Sequence, residues 1–492
     1  MSGSAERLVE PVARSPQRLS LLLLLVPAVI GLLTLLRHEW WRDEAYTWLV
    51  VRASGSPSEL IANLGFNGHP RPYYLFAWAL SRISDHPLAL GLPNLALALA
   101  AVGLFLRSAP VSRLQGLLFS LGFYPLYQYG VVVRCYSWVL FLLFLYCHLR
   151  TARPARSAAR LWVLAALAQV HLMSMAAAAV LLLLEVLEAR RTPHRWGFRA
   201  WAGATAAATS LALAAWQVSP RGAPLASAPL SFRASLRGLA NGFFPDYGPL
   251  QGTDVHLVVG LAIFAVTVAL LLRGRRWALL AYLALAGSLL SICSLVYAGH
   301  RWHHGFYFVY LLVALWFAGG ERLRGAAARG LTFVLALQAA LGAWAIGIDL
   351  ARDYSDGPLV ARYLREHGLE ERPLVGMRIS RFPIGAPRFA WEFDEIQPAL
   401  LYRGGTAYDP RADTFDPYYK HYPEGQYFPG LREKQMALAL DEVAVRLGTP
   451  FVVVVVRSQD AGEVEPPPPL QKLQDFPPVM DFGERYSLYL YP

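Results

Sequence analysis

What most constrains this chain is a succession of apolar runs, each long enough to cross a bilayer. A helical span needs roughly 20 apolar residues, with ~17–25 as the working range. Runs of this kind occur at 19–36, 87–106, 114–133, 136–149, 160–172, 173–187, 200–218, 255–272, 277–297, 304–320 and 330–348, which predicts eleven transmembrane helices. The fifth and sixth abut at His171–Met173 and read as a hairpin. Only 16% of the residues are charged, against about a quarter in a soluble protein, so a soluble globular enzyme is excluded. The run Leu19–Leu36 is followed by Arg37-His38-Glu39-Trp40-Trp41 and not by small residues. It therefore reads as a signal anchor and not as a cleaved signal peptide.

The charges divide the chain into two domains, 1–348 and 349–492. The first holds 29 basic and 12 acidic side chains, the second 16 and 22. Nineteen of those 29 basic residues fall in the N-terminal tail and in the loops at 107–113, 150–160, 188–199, 273–276 and 321–329. Lys and Arg concentrate in cytoplasmic loops, so the N-terminus is expected inside and the C-terminal domain outside. The net charge of +11 is thus a topology signal, and no nucleic-acid partner is implied. The three cysteines, Cys135, Cys147 and Cys293, lie in or beside apolar runs and imply no disulfide framework.

The long loop 37–86 falls outside and has internal structure. Ser56-Pro57-Ser58-Glu59 reads as a helix start, with Ser56 as N-cap, Pro57 at the first position and Glu59 reaching back. That helix and the apolar segment 72–83 are expected to lie in the interface, with Trp40, Trp41, Trp48, Tyr73, Tyr74 and Trp78 as anchors. From Asp349 the pattern becomes helix (358–367), strand (373–377), helix (433–447) and strands (451–456, 486–491). This is a small soluble α/β layer, without a glycine-rich phosphate loop. The proline run 463–469 reads as a linker or exposed turn.

Five groups of polar residues lie on the outside face. Asp43 and Glu44 follow the first span. Carboxylates at such depth cost ~2.5–3.5 kcal/mol unless solvated or paired, and a solvated helix end with Arg42 as counter-ion is the bland alternative. Asn67-Gly68-His69-Pro70-Arg71-Pro72 fixes a bend that holds His69 near them. Arg134, in Arg134-Cys135-Tyr136, either snorkels or meets an anion in a polar cavity. His300-Arg301-Trp302-His303-His304 offers ligands for a metal or a phosphate, although HxxHH is no established metal spacing and interfacial anchoring competes. His171 sits at the outer hairpin turn, where a hydrogen-bonded core histidine competes with a binding role.

The series Asp43-Glu44, His69-Pro70 and Arg134-x-Tyr136 resembles the GT-C membrane glycosyltransferases. The protein O-mannosyltransferase group and the bacterial lipid A aminoarabinose transferases are the nearest in pattern. The likeness covers roughly residues 20–190 by motif and 190–350 by layout. Two departures stand out: Arg71 is inserted into the His-Pro-Pro element, and Arg134-Cys135-Tyr136 lacks the family's flanking acid. The resemblance implies a GT-C-like helical fold and a polyprenyl-phosphate sugar donor. It also implies an envelope glycan, lipid or protein hydroxyl as acceptor, and inverting single displacement. It makes Asp43 the base, with Glu44 orienting Asp43 or binding acceptor. Stabilising the departing phosphate then falls to Arg134, with Arg301 or His303 second, and His69, Tyr136, His171 and His304 complete the substrate site. No cofactor is expected, with a divalent metal as the alternative.

Two other classes compete. An O-antigen ligase or polymerase uses outside arginines and histidines but lacks the acidic pair after the first span. The other is a non-catalytic scaffold or a transporter for envelope polysaccharide, of which a transporter would show charged or broken helices at mid-membrane. Lysine is confined to Lys420, Lys434 and Lys472, which reads as a GC-rich bacterium. The plasma membrane would then be the location, undecaprenyl phosphate the carrier and the periplasm the outside compartment.

Overall fold

A computed structural model describes residues 17–65, 69–152, 157–191, 196–219, 232–247, 253–297, 299–317, 323–380, 387–393, 396–420, 431–457, 464–476 and 485–492. The basic N-terminal tail up to residue 16, Asn67-Gly68, Glu463 and parts of the expected inner loops lie outside these residues.

Helix α1 (Gln17–Arg37) ends at His38, and after a bend of 75° the chain enters α2 (Arg42–Ala53). Two further short helices complete the first long loop, α3 (Pro57–Leu64) and α4 (Pro72–Ser81). Ser56 caps α3 as its sequence predicts, its Oγ accepting from Glu59 N at 3.2 Å. Glu59 reaches one residue farther back than expected, to Gly55 N at 2.8 Å. Most aromatic residues of this loop are packed inside the protein, and Trp78 is half-buried. Trp40, Trp41, Trp48, Tyr73 and Tyr74 are buried, and the indoles of Trp48 and Trp78 donate to Asp85 O and Ser54 O. Burial of this kind satisfies both the ring and its N–H.

The helical body continues with α5 (Leu88–Ser108), α6 (Arg113–Ser120), a π-helix (Phe123–Val131) and α7 (Tyr136–Ala152). Then follow α8 (Ser157–Ala168), α9 (Leu172–Arg191), α10 (Phe198–Val218), α11 (Phe232–Phe243) and α12 (Asp254–Leu272). It closes with α13 (Arg276–Leu295), α14 (Arg301–Phe317) and α15 (Gly325–Ala351). Among the described residues, α5, α9, α12, α13 and α15 are each long and apolar enough to cross a membrane, and α1 with α2 adds a bent sixth. The chain is therefore helical and polytopic by length and composition.

The expected span 114–133 is not one helix. It breaks at Leu121–Gly122, and the π-helix after it closes with Val132 N donating to Tyr127 O at 3.1 Å. Gly342 of α15 presses on the break, where a Cβ would stand 2.6 Å from Leu121 O. Asn94 of α5 ties the far end, donating to Tyr129 O and Gly130 O at 3.1 and 3.0 Å and accepting from Ser137 Oγ. Widened turns of this type gather at functional sites, and this one delivers Arg134.

The C-terminal region starts with α16 (Gly357–Glu366) and forms a five-stranded sheet, order β2-β1-β5-β7-β6. Its strands are β1 (Leu374–Ser380), β2 (Arg388–Trp391), β5 (Phe451–Arg457), β6 (Gln471–Asp475) and β7 (Arg485–Tyr491); β3 (Ala407–Asp409) and β4 (Thr414–Asp416) form a separate ribbon. Only β1 and β5 pair in parallel within the sheet. Every residue of β5 is buried, as a strand covered on both faces requires. Val453 and Val455 pack with Met436, Leu440 and Val443 of α18 (Glu433–Leu447). Val452, Val454 and Val456 join the core that continues into the helical body. There α17 (Gln397–Arg403) packs on α2, and Trp40 N donates to Tyr402 Oη at 2.8 Å. Glu39 accepts from the backbone of Tyr354 and Ser355, both at 3.1 Å. Of the proline run, Pro466 and Pro467 are buried, while Pro468 and Pro469 form the expected exposed turn.

Candidate active site

The bend after α1 sets two neighbouring carboxylates to different tasks. Both lie in the first turn of α2, where the helix N-terminus favours negative charge. Successive helical residues point about 100° apart. Glu44 turns inward and is fully buried. Its Oε1 accepts from Val133 N at 2.5 Å, and its Oε2 accepts from Trp41 N and meets His38 Nε2 at 3.1 Å. The other face of the imidazole, Nδ1, meets Asp349 Oδ2 at 2.8 Å. Glu44 is thereby occupied in holding the backbone.

Asp43 points the other way and keeps a quarter of its side chain exposed. Arg42 Nε donates to its Oδ1 at 3.1 Å, and Arg134 Nη2 stands 3.6 Å from its Oδ2. Burial opposes its ionisation, but the charges of Arg134 and Arg42 outweigh that and hold its carboxyl at about 2. Arg134 itself is buried, with Nη1 donating to Asp43 O at 2.8 Å and to Thr47 Oγ1 at 3.2 Å. Its Nε is buried and has no hydrogen-bond partner.

Three imidazoles and a phenol adjoin this pair. The His171 ring lies 4.7 Å from His69, 5.3 Å from His303 and 5.4 Å from Tyr136, centre to centre. Hydrogen bonds assign the tautomers of two of them. His303 Nδ1 accepts from His300 N at 3.0 Å, which leaves the proton of the neutral ring on Nε2, 2.9 Å from Tyr136 Oη. Tyr136 therefore accepts there and keeps its own O–H to give. His171 Nδ1 accepts from Met173 N at 3.1 Å, which puts its proton on Nε2, buried and without a partner. The cluster thus offers Arg134 Nε–H, His171 Nε2–H and Tyr136 O–H as donors and no carboxylate other than Asp43. A buried donor left unpaired costs ~1–3 kcal/mol, and several together are disposed to bind an anion.

Two expected site residues turn elsewhere. Arg301 lies over the Tyr247 ring at 4.8 Å and donates to Asp246 O, while His304 faces Asn241 and Gly238 of α11. Arg301 and His304 are three apart and share one face of α14, so His303 must point away from both. Sequence reasoning missed His38, Asp349 and Asn94. Their one visible signal is an ionisable or amide group at the end of, or inside, an apolar run. Among the described residues, no group of three or more His, Cys, Asp or Glu is arranged to hold a metal ion, and the three cysteines are free.

Beside the cluster runs an apolar groove of about 1480 Å³, between α3–α4 and α8–α10, lined by Trp162, Trp201, Trp216, Gln169, Gln217 and Arg71. None of the clustered residues lines it, although Arg71 and Pro72 follow His69 closely in the chain. Arg71 N donates to Gln217 Oε1 at 2.8 Å, which ties the His69 loop to α10.

No family model matches the chain, and no curated protein matches it. Among solved structures, the chain is similar to the crystal structure of ArnT from Cupriavidus metallidurans bound to undecaprenyl phosphate. The two are 13% identical, the match covers 97% of this chain and 98% of that one, and the TM-score is 0.32.

Proposed function

We propose that this protein is a membrane glycosyltransferase that moves a sugar from a polyprenyl-phosphate donor to an acceptor hydroxyl on the non-cytoplasmic face, by a single inverting displacement. The observation that carries this reading is the set of buried, unpaired donors around Arg134 and His171 beside one partly exposed carboxylate, Asp43. Donors that lack partners suit a departing phosphate, and the carboxylate suits a base.

The steps follow from the pairing. Before the donor arrives, Asp43 is held ionised but is weakly basic, because Arg134 neutralises it. Donor phosphate competes for the Arg134 fork, and the weakening of the Asp43–Arg134 pair makes Asp43 more basic. Asp43 then takes the acceptor proton as the acceptor oxygen bonds to the anomeric carbon. The bond from that carbon to the phosphate oxygen breaks, and the electron pair leaves on a phosphate stabilised by Arg134, His171 and Tyr136. Glu44 positions the loop and touches neither substrate. The lipid chain lies along the groove whose polar end is Arg71. The acceptor is an envelope glycan, lipid or protein, and the reaction uses no resident metal.

The test is sugar transfer from a panel of radiolabelled polyprenyl-phosphate sugars into envelope extract, for wild type and Asp43→Asn. Transfer by the wild type that the variant loses about a hundredfold, with folding intact, supports the proposal. Absence of both transfer and donor binding across the panel overturns it.

A further inference from the structure

We infer that His38 and Asp349 are positioning residues for this site, forming with Glu44 a buried carboxylate–imidazole–carboxylate bridge that sets the register of α2 against the Arg134 turn. The inference rests on the reading of Asp43 and Arg134 given under the proposed function.

The bridge is a continuous chain of contacts. Asp349 Oδ2 holds His38 Nδ1 at 2.8 Å, His38 Nε2 holds Glu44 Oε2 at 3.1 Å, and Glu44 Oε1 holds Val133 N at 2.5 Å. Val133 precedes Arg134, and Glu44 follows Asp43, so one bridge fixes both reacting residues through their neighbours. All three side chains are buried from solvent. Two buried carboxylates facing each other are tolerable only with a cation between them, so the imidazole carries its second proton in the folded state. The surroundings agree. Glu44 faces His38 from α2 and Asp349 from α15, the Tyr354 ring lies tilted against it at 4.4 Å, and Glu39 is the adjoining residue. Tyr127 of the π-helix lies near Asp349, and Tyr402 of α17 lies near Glu39, Glu44 and Asp349 as a neutral phenol. Burial opposes His38 protonation, but Asp349 and Glu44 together push its pKa up to about 10.

The pH consequence has a definite sign. The folded pKa is raised above the ordinary 6.5. The bridge is therefore complete below pH 6.5 and is lost as pH rises through about 10. Removing the Asp349 charge lowers the His38 pKa, so the same loss occurs nearer neutrality.

The test uses the full-length protein in detergent, comparing wild type with Asp349→Asn. His38→Gln leaves two buried carboxylates without their cation and is expected not to fold, so Asp349→Asn decides. Amide exchange at pH 7 is read in peptides covering 40–48 and 128–136. About tenfold faster exchange in both, though neither contains the substitution, is the expected result. The alkaline limb of kcat is expected to move down by about one pH unit or more, with KM for the donor within about twofold. Unchanged exchange together with an unmoved alkaline limb overturns the inference. If the wild type transfers no sugar from any donor, the functional reading fails, and the exchange measurement still decides the bridge.

Discussion

Two buried arginine–carboxylate clusters sit far apart in this chain, and they are built differently. Around Glu185 of α9 every polar atom is spoken for. Arg160 grips both its oxygens at 2.8 and 2.9 Å, Tyr146 Oη donates at 2.8 Å, and Arg150 adds a contact at 3.3 Å. Around Asp43 the arginine stands off at 3.6 Å, one of its nitrogens is unpaired, and the neighbouring His171 N–H has no partner. Full satisfaction stabilises the fold and leaves nothing for a ligand. Incomplete satisfaction costs stability and leaves capacity for an anion. The same residue types therefore serve two ends, and the hydrogen-bond inventory separates them where composition does not.

The comparison breaks or holds on four measurements, taken from the largest expected effect. Glu185→Ala strands Arg160 in the interior, and such a loss costs about 3–5 kcal/mol. Thermal unfolding should show it, while transfer per folded molecule stays that of the wild type. A fall in transfer equal to that of an Asp43 variant would erase the distinction between the clusters. Asp43→Asn should behave in the opposite way, with a smaller loss on unfolding than Glu185→Ala and transfer reduced about a hundredfold, equivalent to ~2.7 kcal/mol of barrier. Arg134→Lys keeps the charge and loses the fork, so kcat should fall about tenfold with no more than a small change in unfolding temperature.

The remaining measurement is the acid limb. Asp43 is held at about 2, below the ordinary 3.8, so its pair with Arg134 is complete above pH 3.8 and is lost as pH falls through about 2. Phosphate bound at Arg134 weakens that pair. The acid limb of kcat should then lie ~1–2 pH units above that of kcat/KM. Coincident limbs would mean that donor binding leaves the Asp43–Arg134 pair intact. A chelator, by contrast, should change none of these rates.

The sequence carried local features further than distant ones. The helix Glu433–Leu447 is legible to the residue, because Gly448 supplies the left-handed stop that the apolar pattern anticipates. The valine strand is legible to within one residue, because continuous β-branched runs fit a sheet covered on both faces. Asp43, Arg134 and His69 stand out in the sequence as polar residues flanking apolar runs, and the structure gathers them with Tyr136, His171 and His303. The break at Leu121–Gly122 was not legible, because hydropathy counts apolar residues without detecting where Gly342 intrudes. Strand β6 escaped for the opposite reason: Gln471–Asp475 is an edge strand whose residues are mostly exposed and polar. The bridge through His38 joins residues 311 apart, and no periodicity in a single sequence encodes such a pairing.

That separation governs when the bridge can form. Translation delivers ~5–20 residues each second, so the 311 residues between His38 and Asp349 take roughly 15–60 s to make. Throughout that interval the first helix and its carboxylates are already synthesised, but Glu44 lacks the clasp that steadies it. Val133 and Arg134 also emerge well before Asp349 does. A chain that stops between His303 and Asp349 therefore carries every clustered residue but lacks the bridge that joins α2 to the Arg134 turn. Only the chain extended past Asp349 can close the bridge, so shorter products should lack the order that Glu44 gives to Val133.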